Sequence, residues 1–86
     1  MKLTVQTHAD SGNWANPDGT QDLSLVDSLS AAKDVLWDWA EEVDRYDSPQ
    51  DAYAYVWCGH HDDVTDLYPD WKLTVGPRGG IRREAV

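Results

Sequence analysis

The sequence is poor in residues and segments that define several common classes of protein. It has one cysteine, so no disulfide can form within the chain, and it has one methionine and no phenylalanine. No apolar run approaches the roughly 18 residues that a membrane-spanning helix needs. The first ten residues, MKLTVQTHAD, alternate in polarity and lack the apolar core of a signal peptide. We therefore expect a cytoplasmic protein without membrane association.

Positive charge is also scarce. Seven Lys and Arg stand against sixteen Asp and Glu, which gives a net charge of −9 over 86 residues. Residues 1–76 carry four bases and fifteen acids, a net −11, whereas residues 77–86 carry three arginines and one acid, a net +2. The overall charge disfavours direct binding to nucleic acid or to anionic lipid.

Signatures of enzymes are missing as well. The chain has no P-loop, no Rossmann glycine pattern and no nucleophile elbow. Its length fits one domain over residues 1–86 with a single core. These observations predict a non-enzymatic protein without a cofactor.

The strongest periodic pattern lies between residues 25 and 46. Apolar residues recur there at steps of three and four, as on one side of an α-helix. They are Leu25, Leu29, Ala32, Leu36, Trp39, Val43 and Tyr46. Ser24 followed by Asp27 resembles a capping box, and Ser28 is a second candidate for the N-cap. Pro49 requires the helix to end before it, because proline lacks the backbone donor.

Four segments have the alternation or the β-branched and aromatic content of strands. They are residues 2–7, 52–58, 71–76 and 80–84. Glycines between the last two strands supply the positive φ of a hairpin loop, which predicts a terminal hairpin. The polar segment 8–23 contains the turn sequence Asn16-Pro17-Asp18-Gly19, which could join two short extra strands.

One helix and about four strands predict an α+β fold, a two-layer sandwich with the helix across one face of a mostly antiparallel sheet. The other face must be polar or in contact with something else. In the strand 52–58, small residues alternate with the aromatic residues Tyr53, Tyr55 and Trp57. Two interpretations are open: the aromatic residues form the core, or they face outward and bind a partner. Five tryptophans exceed what so small a core buries, so we expect Trp14 and Trp37 to be partly exposed.

The hexapeptide Cys58-Gly59-His60-His61-Asp62-Asp63 concentrates side chains that bind metals. A structural zinc site takes about four ligands, usually as two spaced pairs, and the second pair is missing here. We expect a polar loop with a buried Cys58 and no metal. The alternative is a small metal-binding or metal-stabilised domain centred on Cys58, His60, His61 and Asp63.

The predicted helix has an acidic side. Its acids are Asp27, Asp34, Asp38, Glu41, Glu42 and Asp44, interrupted only by Lys33 and Arg45. Acids one helical turn apart are about 5 to 6 Å from each other, near the roughly 7 Å spacing of phosphates along a nucleic acid strand. Such a row either is an ordinary solvated helix face or imitates a nucleic acid and binds a basic groove.

Three stretches resemble parts of small, acidic, uncharacterised proteins of actinobacterial phages and prophages. They are residues 36–44 (LWDWAEEVD), 62–69 (DDVTDLYP) and 73–80 (LTVGPRGG). The resemblance implies a bacterial or phage cytoplasmic setting, in which small acidic proteins often occupy the nucleic-acid site of a host protein. It carries no established function.

The sequence thus predicts a binding protein whose partner is a protein with a basic surface. Such a protein could act as a DNA mimic. The residues expected to contact this partner are Asp34, Trp37, Asp38, Glu41, Glu42, Tyr53, Tyr55 and Trp57. The metal-binding domain is the alternative function.

Overall fold

The computed structural model describes residues 1–10 and 23–86, which form one α-helix packed on a five-stranded antiparallel sheet. The elements in chain order are β1 (Leu3–Ala9), β2 (Leu23–Val26), α1 (Leu29–Asp44), a short 3-10 helix (Pro49–Asp51), β3 (Ala52–Cys58), β4 (Trp71–Val75) and β5 (Ile81–Ala85). The strand order in the sheet is β2-β1-β3-β4-β5. The predicted α+β fold is confirmed, with five strands where about four were predicted.

The additional strand is β2, which pairs with β1 at one edge of the sheet. Its sequence, Leu-Ser-Leu-Val, alternates in polarity as a strand does, although Leu25 also fits the helical period of the residues that follow. Leu25 and Val26 belong to β2, so the prediction that the helix starts at residue 25 is wrong. The turn predicted at residues 16–19 lies outside the described residues.

The helix begins where Ser28 caps it. The backbone of Ser28 is extended, with φ −156° and ψ 160°, and its Oγ accepts a hydrogen bond from the Ala31 amide at 3.0 Å. The capping box of Ser24 and Asp27 is therefore wrong, and the second candidate for the N-cap is right. At the other end the helix stops at Asp44, which leaves Tyr46 beyond it and exposed.

The core lies between α1 and the sheet. The helix contributes Ala32, Leu36, Ala40 and Val43. The sheet contributes Leu3, Val5, Ala52, Ala54, Val56, Leu73 and Val75. Small side chains on β3 allow the helix to approach the sheet closely. Trp39 packs at the margin of this core, and its indole N–H donates to the backbone oxygen of His8 at 2.8 Å.

A β-hairpin ends the chain, as predicted. Strands β4 and β5 are joined by a tight loop in which the Gly76 amide donates to the Gly80 oxygen at 2.7 Å. Gly79 has a φ of +84°, a backbone conformation that residues with a Cβ rarely adopt. No helix in the described ranges is long and apolar enough to cross a membrane.

Candidate functional site

The face of the sheet that α1 leaves uncovered carries two rows of side chains across four strands. Directly opposed residues on paired strands point to the same face, so the strand register fixes each row. The first row is His8, Tyr53, Thr74 and Arg82. The second row is Gln6, Tyr55, Lys72 and Glu84. We call these eight residues the open face.

Aromatic rings form the centre of the open face. The imidazole of His8 stacks on Tyr53 with ring centroids 5.2 Å apart, and both rings meet Tyr55 edge-on at 5.5 and 5.7 Å. The ammonium group of Lys72 lies 4.7 Å from the centroid of the Tyr53 ring. Both tyrosines are half-buried. The rings therefore contact one another and form a partly exposed aromatic surface that spans β1 and β3.

The Tyr53 hydroxyl stays protonated on this surface. Partial desolvation, the negative charge of Asp10 and the neighbouring Tyr55 together raise the pKa of Tyr53 above its ordinary value. The hydroxyl is thus available as both a donor and an acceptor of hydrogen bonds throughout the physiological pH range.

The third aromatic residue of β3 is covered by the loop that follows the strand. Trp57 is only 4% exposed, and its indole N–H donates to the Leu67 oxygen at 3.0 Å. Its cross-strand neighbour Thr4 is fully buried. The Thr4 hydroxyl is satisfied there, because it donates to the Gly59 oxygen at 2.8 Å and accepts from the His61 amide at 2.9 Å. The aromatic row thus lies on the face that the helix leaves uncovered: Tyr53 and Tyr55 are half-buried there, and Trp57, on the same face, is buried under the loop.

The two histidines of this loop are hydrogen-bonded to the backbone. His60 Nε2 donates to the Val26 oxygen at 3.0 Å, and His61 Nε2 donates to the Cys58 oxygen at 2.7 Å. With Nε2 used in this way, only Nδ1 of each imidazole is left as a metal ligand. Within residues 1–10 and 23–86 the fold gathers no group of three Cys, His, Asp or Glu side chains that could hold a metal ion.

The thiol of Cys58 is exposed, and the prediction that it is buried is wrong. Cys58 is the last residue of β3, where the chain turns away at Gly59 with a φ of +85°, so the helix does not cover it. Desolvation by the surrounding chain, followed by the charge of Asp70 and a hydrogen bond to it, raises the pKa of this thiol. A raised pKa leaves less of the reactive thiolate at neutral pH.

One acid of the loop, Asp63, forms hydrogen bonds within the loop itself. Asp63 Oδ1 accepts hydrogen bonds from the amide and the hydroxyl of Thr65 at 2.9 and 2.6 Å. These hydrogen bonds lower the pKa of Asp63. Asp63 is thus a local turn former and points its oxygens at its own chain.

The acidic side of α1 lies opposite the core. Asp34, Asp38, Glu41 and Glu42 are all exposed, and we call these four residues the acidic face. Among them, only Glu42 has an ion pair in the described part of the chain, with Arg45 at 3.3 Å. Helical spacing places Asp34, Asp38 and Glu41 on adjacent turns of one side of the helix, as the sequence predicts.

Trp37 lies beside the acidic face and touches the terminal hairpin. Its side chain is 40% exposed, as expected for this tryptophan, whereas Trp14 lies outside the described residues. A Cβ at Gly79 would stand 3.4 Å from the Trp37 ring, so the ring rests directly on the hairpin loop. The hairpin therefore holds Trp37 in place at the margin of the acidic face.

Sequence reasoning missed most of the open face. It singled out Tyr53 and Tyr55 but not His8, Lys72 or Arg82, which come from three other strands. The only available signal was their alternation with buried residues, and that signal gives the side of a strand but not its neighbours. No family model, curated protein or solved structure matches this chain.

Proposed function

We propose that the protein is a non-enzymatic binding module of the bacterial or phage cytoplasm whose acidic face docks on a basic surface of another protein. The observation that carries this proposal is that Asp34, Asp38 and Glu41 point away from the core and have no ion pair in the described part of the chain. Carboxylates one helical turn apart repel one another. A helix face that is merely solvated usually carries both signs of charge, which relieves such repulsion.

The acidic face presents several negative charges in one row, and their spacing is approximately that of the phosphates in a nucleic acid backbone. A basic protein surface therefore fits it. Proteins that bind nucleic acid carry Lys and Arg clusters that such a row would attract over distances of about a Debye length, roughly 8 to 10 Å. Association would be fast and would weaken with salt.

Trp37 supplies the apolar anchor in this proposal. Interfaces usually derive most of their affinity from a few large residues, and tryptophan is prominent among them. The contact with Gly79 fixes the ring before binding, which lowers the entropy lost on association. Tyr53 and Tyr55 lie on the sheet face that points away from α1 and would form a second contact with a partner. The buried Trp57 is not part of the proposed surface.

The test is a pull-down from the host with the wild-type protein and a variant carrying Asp34→Asn, Asp38→Asn, Glu41→Gln and Glu42→Gln. We expect partners with basic surfaces to bind the wild-type protein at low salt and to be lost from the variant and at high salt. Trp37→Ala should weaken binding more than any single acid substitution.

A matched control separates the acidic face from net charge. The control variant neutralises four exposed acids outside the helix and outside the open face, Asp10, Asp27, Asp62 and Asp66, and so changes the net charge by the same amount. It should retain the partners. If both variants retain the same partners as the wild-type protein at both salt concentrations, the acidic face is only a solvated helix surface and the proposal is wrong.

A further inference from the structure

The arginines of this acidic protein differ in what they contact. Arg45 pairs with Glu42, and the guanidinium of Arg83 lies 5.3 Å from the centroid of the Trp71 ring. The remaining two, Arg78 and Arg82, have no carboxylate within ion-pairing distance in the described part of the chain. Arg83 likewise has no carboxylate partner in this part of the chain, so Arg78 and Arg82 differ from it in having neither an ion pair nor a ring contact there, and we call these two the unpaired arginines.

The two unpaired arginines line the same groove. This groove lies at the β4–β5 hairpin, has a volume of about 260 Å³, and is also lined by Gly76, Pro77, Gly80 and Ile81. Both arginines are exposed, so the groove is open to solvent and to a ligand. Among the described residues that line it, only Arg78 and Arg82 are charged.

Arg82 lies alongside the hairpin loop. A Cβ at position 76 would be in ordinary van der Waals contact with Arg82 Nε at 3.4 Å and closer, at 3.2 Å, to the Gly80 oxygen. The loop itself is tied by two backbone hydrogen bonds, from Gly76 to the Gly80 oxygen and from Gly79 to the Gly76 oxygen at 2.9 Å, and Trp37 of α1 packs against Gly79. The groove is therefore built on an ordered turn.

We propose that this groove is a binding site for a phosphate group, held between Arg78 and Arg82. Guanidinium groups present donors in a planar fork that matches phosphate oxygens, and two of them balance the charge of a phosphate dianion, whereas one would suffice for a carboxylate. The groove is larger than a phosphate ion, and the Ile81 wall offers an apolar contact to whatever carries the phosphate.

Glu84 opposes binding and provides a way to sharpen the test. It lies two residues after Arg82 on the same side of β5, within roughly 7 Å, and has no ion pair in the described ranges. Its charge repels an anion near Arg82, so Glu84→Gln should strengthen phosphate binding by about twofold to fivefold at low salt.

The experiment is a titration of the full chain with four ligands, monitored by NMR signals of the backbone amides of residues 76 and 78–82 and of the arginine Nε–H groups. The ligands are inorganic phosphate, a nucleoside 5′-monophosphate, a phosphoserine peptide, and acetate as the carboxylate control. Two charge-assisted contacts correspond to a dissociation constant on the order of 1 mM for inorganic phosphate at low salt. Tighter binding of the nucleotide or of the peptide would identify the carrier of the phosphate group.

Arg78→Gln and Arg82→Gln should each weaken phosphate binding on the order of tenfold. Arg82→Lys should weaken phosphate binding almost as much as Arg82→Gln. Lysine keeps the positive charge but lacks the planar fork of guanidinium donors. Arg45→Gln removes the same charge elsewhere and should leave binding unchanged, and thermal unfolding verifies that each variant is folded. The proposal is overturned if phosphate causes no saturable shifts at the hairpin, if acetate binds as well as phosphate, or if Arg45→Gln weakens binding as much as Arg82→Gln.

Discussion

The two faces of the sheet use opposite kinds of side chain on the same strand. Towards α1, β3 presents Ala52, Ala54 and Val56, all nearly or fully buried. Towards the open face it presents Tyr53 and Tyr55, which are larger and only half-buried. Size alone would assign the tyrosines to the core. The opposite holds here, because the side chains of α1 fill the space above one face of the sheet. The strand residues on that face must therefore be small.

The two faces contribute differently to the stability of the fold. The helix face is closed by Leu36, Val43 and other apolar residues that contact nothing but the core. The open face is held by ring contacts among His8, Tyr53 and Tyr55. Substitutions on the two faces should therefore have different costs, and the comparison can be tested position by position.

The largest effect is expected for Leu36→Ala. Leu36 is fully buried between the helix and the sheet, so the substitution removes apolar contacts and leaves a cavity. Substitutions of this kind cost about 2 to 5 kcal/mol in the free energy of unfolding. Urea denaturation measures it.

Leu25→Ala is the matched control for Leu36→Ala. Leu25 shares the helical period of Leu36 in the sequence, but it lies in β2 and is 50% exposed. Its loss should change the free energy of unfolding by less than about 1 kcal/mol. Equal losses at the two positions would contradict the description of the core given above.

The same pair of residues indicates how much of the fold the sequence could predict. The helix from Leu29 and the strand Ala52–Cys58 follow from local periodicity, and both were predicted. The end of the helix near Leu25 was not, because a four-residue strand and a helical turn share the same apolar spacing over so short a stretch. Pairing with β1 decides in favour of the strand, and pairing is a long-range property.

The second effect concerns the small side chains under the helix. Ala54→Leu adds volume at a fully buried position directly below α1, and overpacking of this kind costs about 1 to 3 kcal/mol. Ala85→Leu adds the same volume at an exposed position of β5 and should change stability by no more than about 0.5 kcal/mol. Thermal unfolding of the two variants gives the comparison, and an unaffected Ala54→Leu protein would mean that the helix does not pack closely on β3.

A smaller effect is expected on the open face. Tyr55→Ala removes contacts with His8, Tyr53 and Trp57 and should cost on the order of 1 kcal/mol, although the side chain lost is larger than that of Leu36. Tyr68→Ala is the control, since Tyr68 is 94% exposed, and it should have almost no effect. A loss at Tyr55 as large as that of Leu36→Ala would place the tyrosine in the core after all.

The candidate surfaces were predictable only in part, for a related physical reason. The acidic face follows from helical spacing, which is local, so Asp34, Asp38 and Glu41 were predicted on one side. The open face depends on register between strands that are far apart in the sequence, which brings His8 to Tyr53 and Lys72 to Tyr55. The burial of Trp57 depends on a loop that has no periodic pattern at all.

The smallest effect is expected for the variant with Asp34→Asn, Asp38→Asn, Glu41→Gln and Glu42→Gln. These side chains pack against nothing, and repulsion between like charges one turn apart costs only about 0.2 to 0.5 kcal/mol per pair. Neutralising them removes this repulsion but also removes the ion pair of Glu42 with Arg45, which is exposed and contributes little. We therefore expect the free energy of unfolding to stay the same or to rise by a few tenths of a kcal/mol, with the gain shrinking as salt is added. Chemical denaturation at low and high salt measures both. A loss of more than about 1 kcal/mol would mean that the four acids stabilise the fold, and their exposure could then no longer be explained by binding alone.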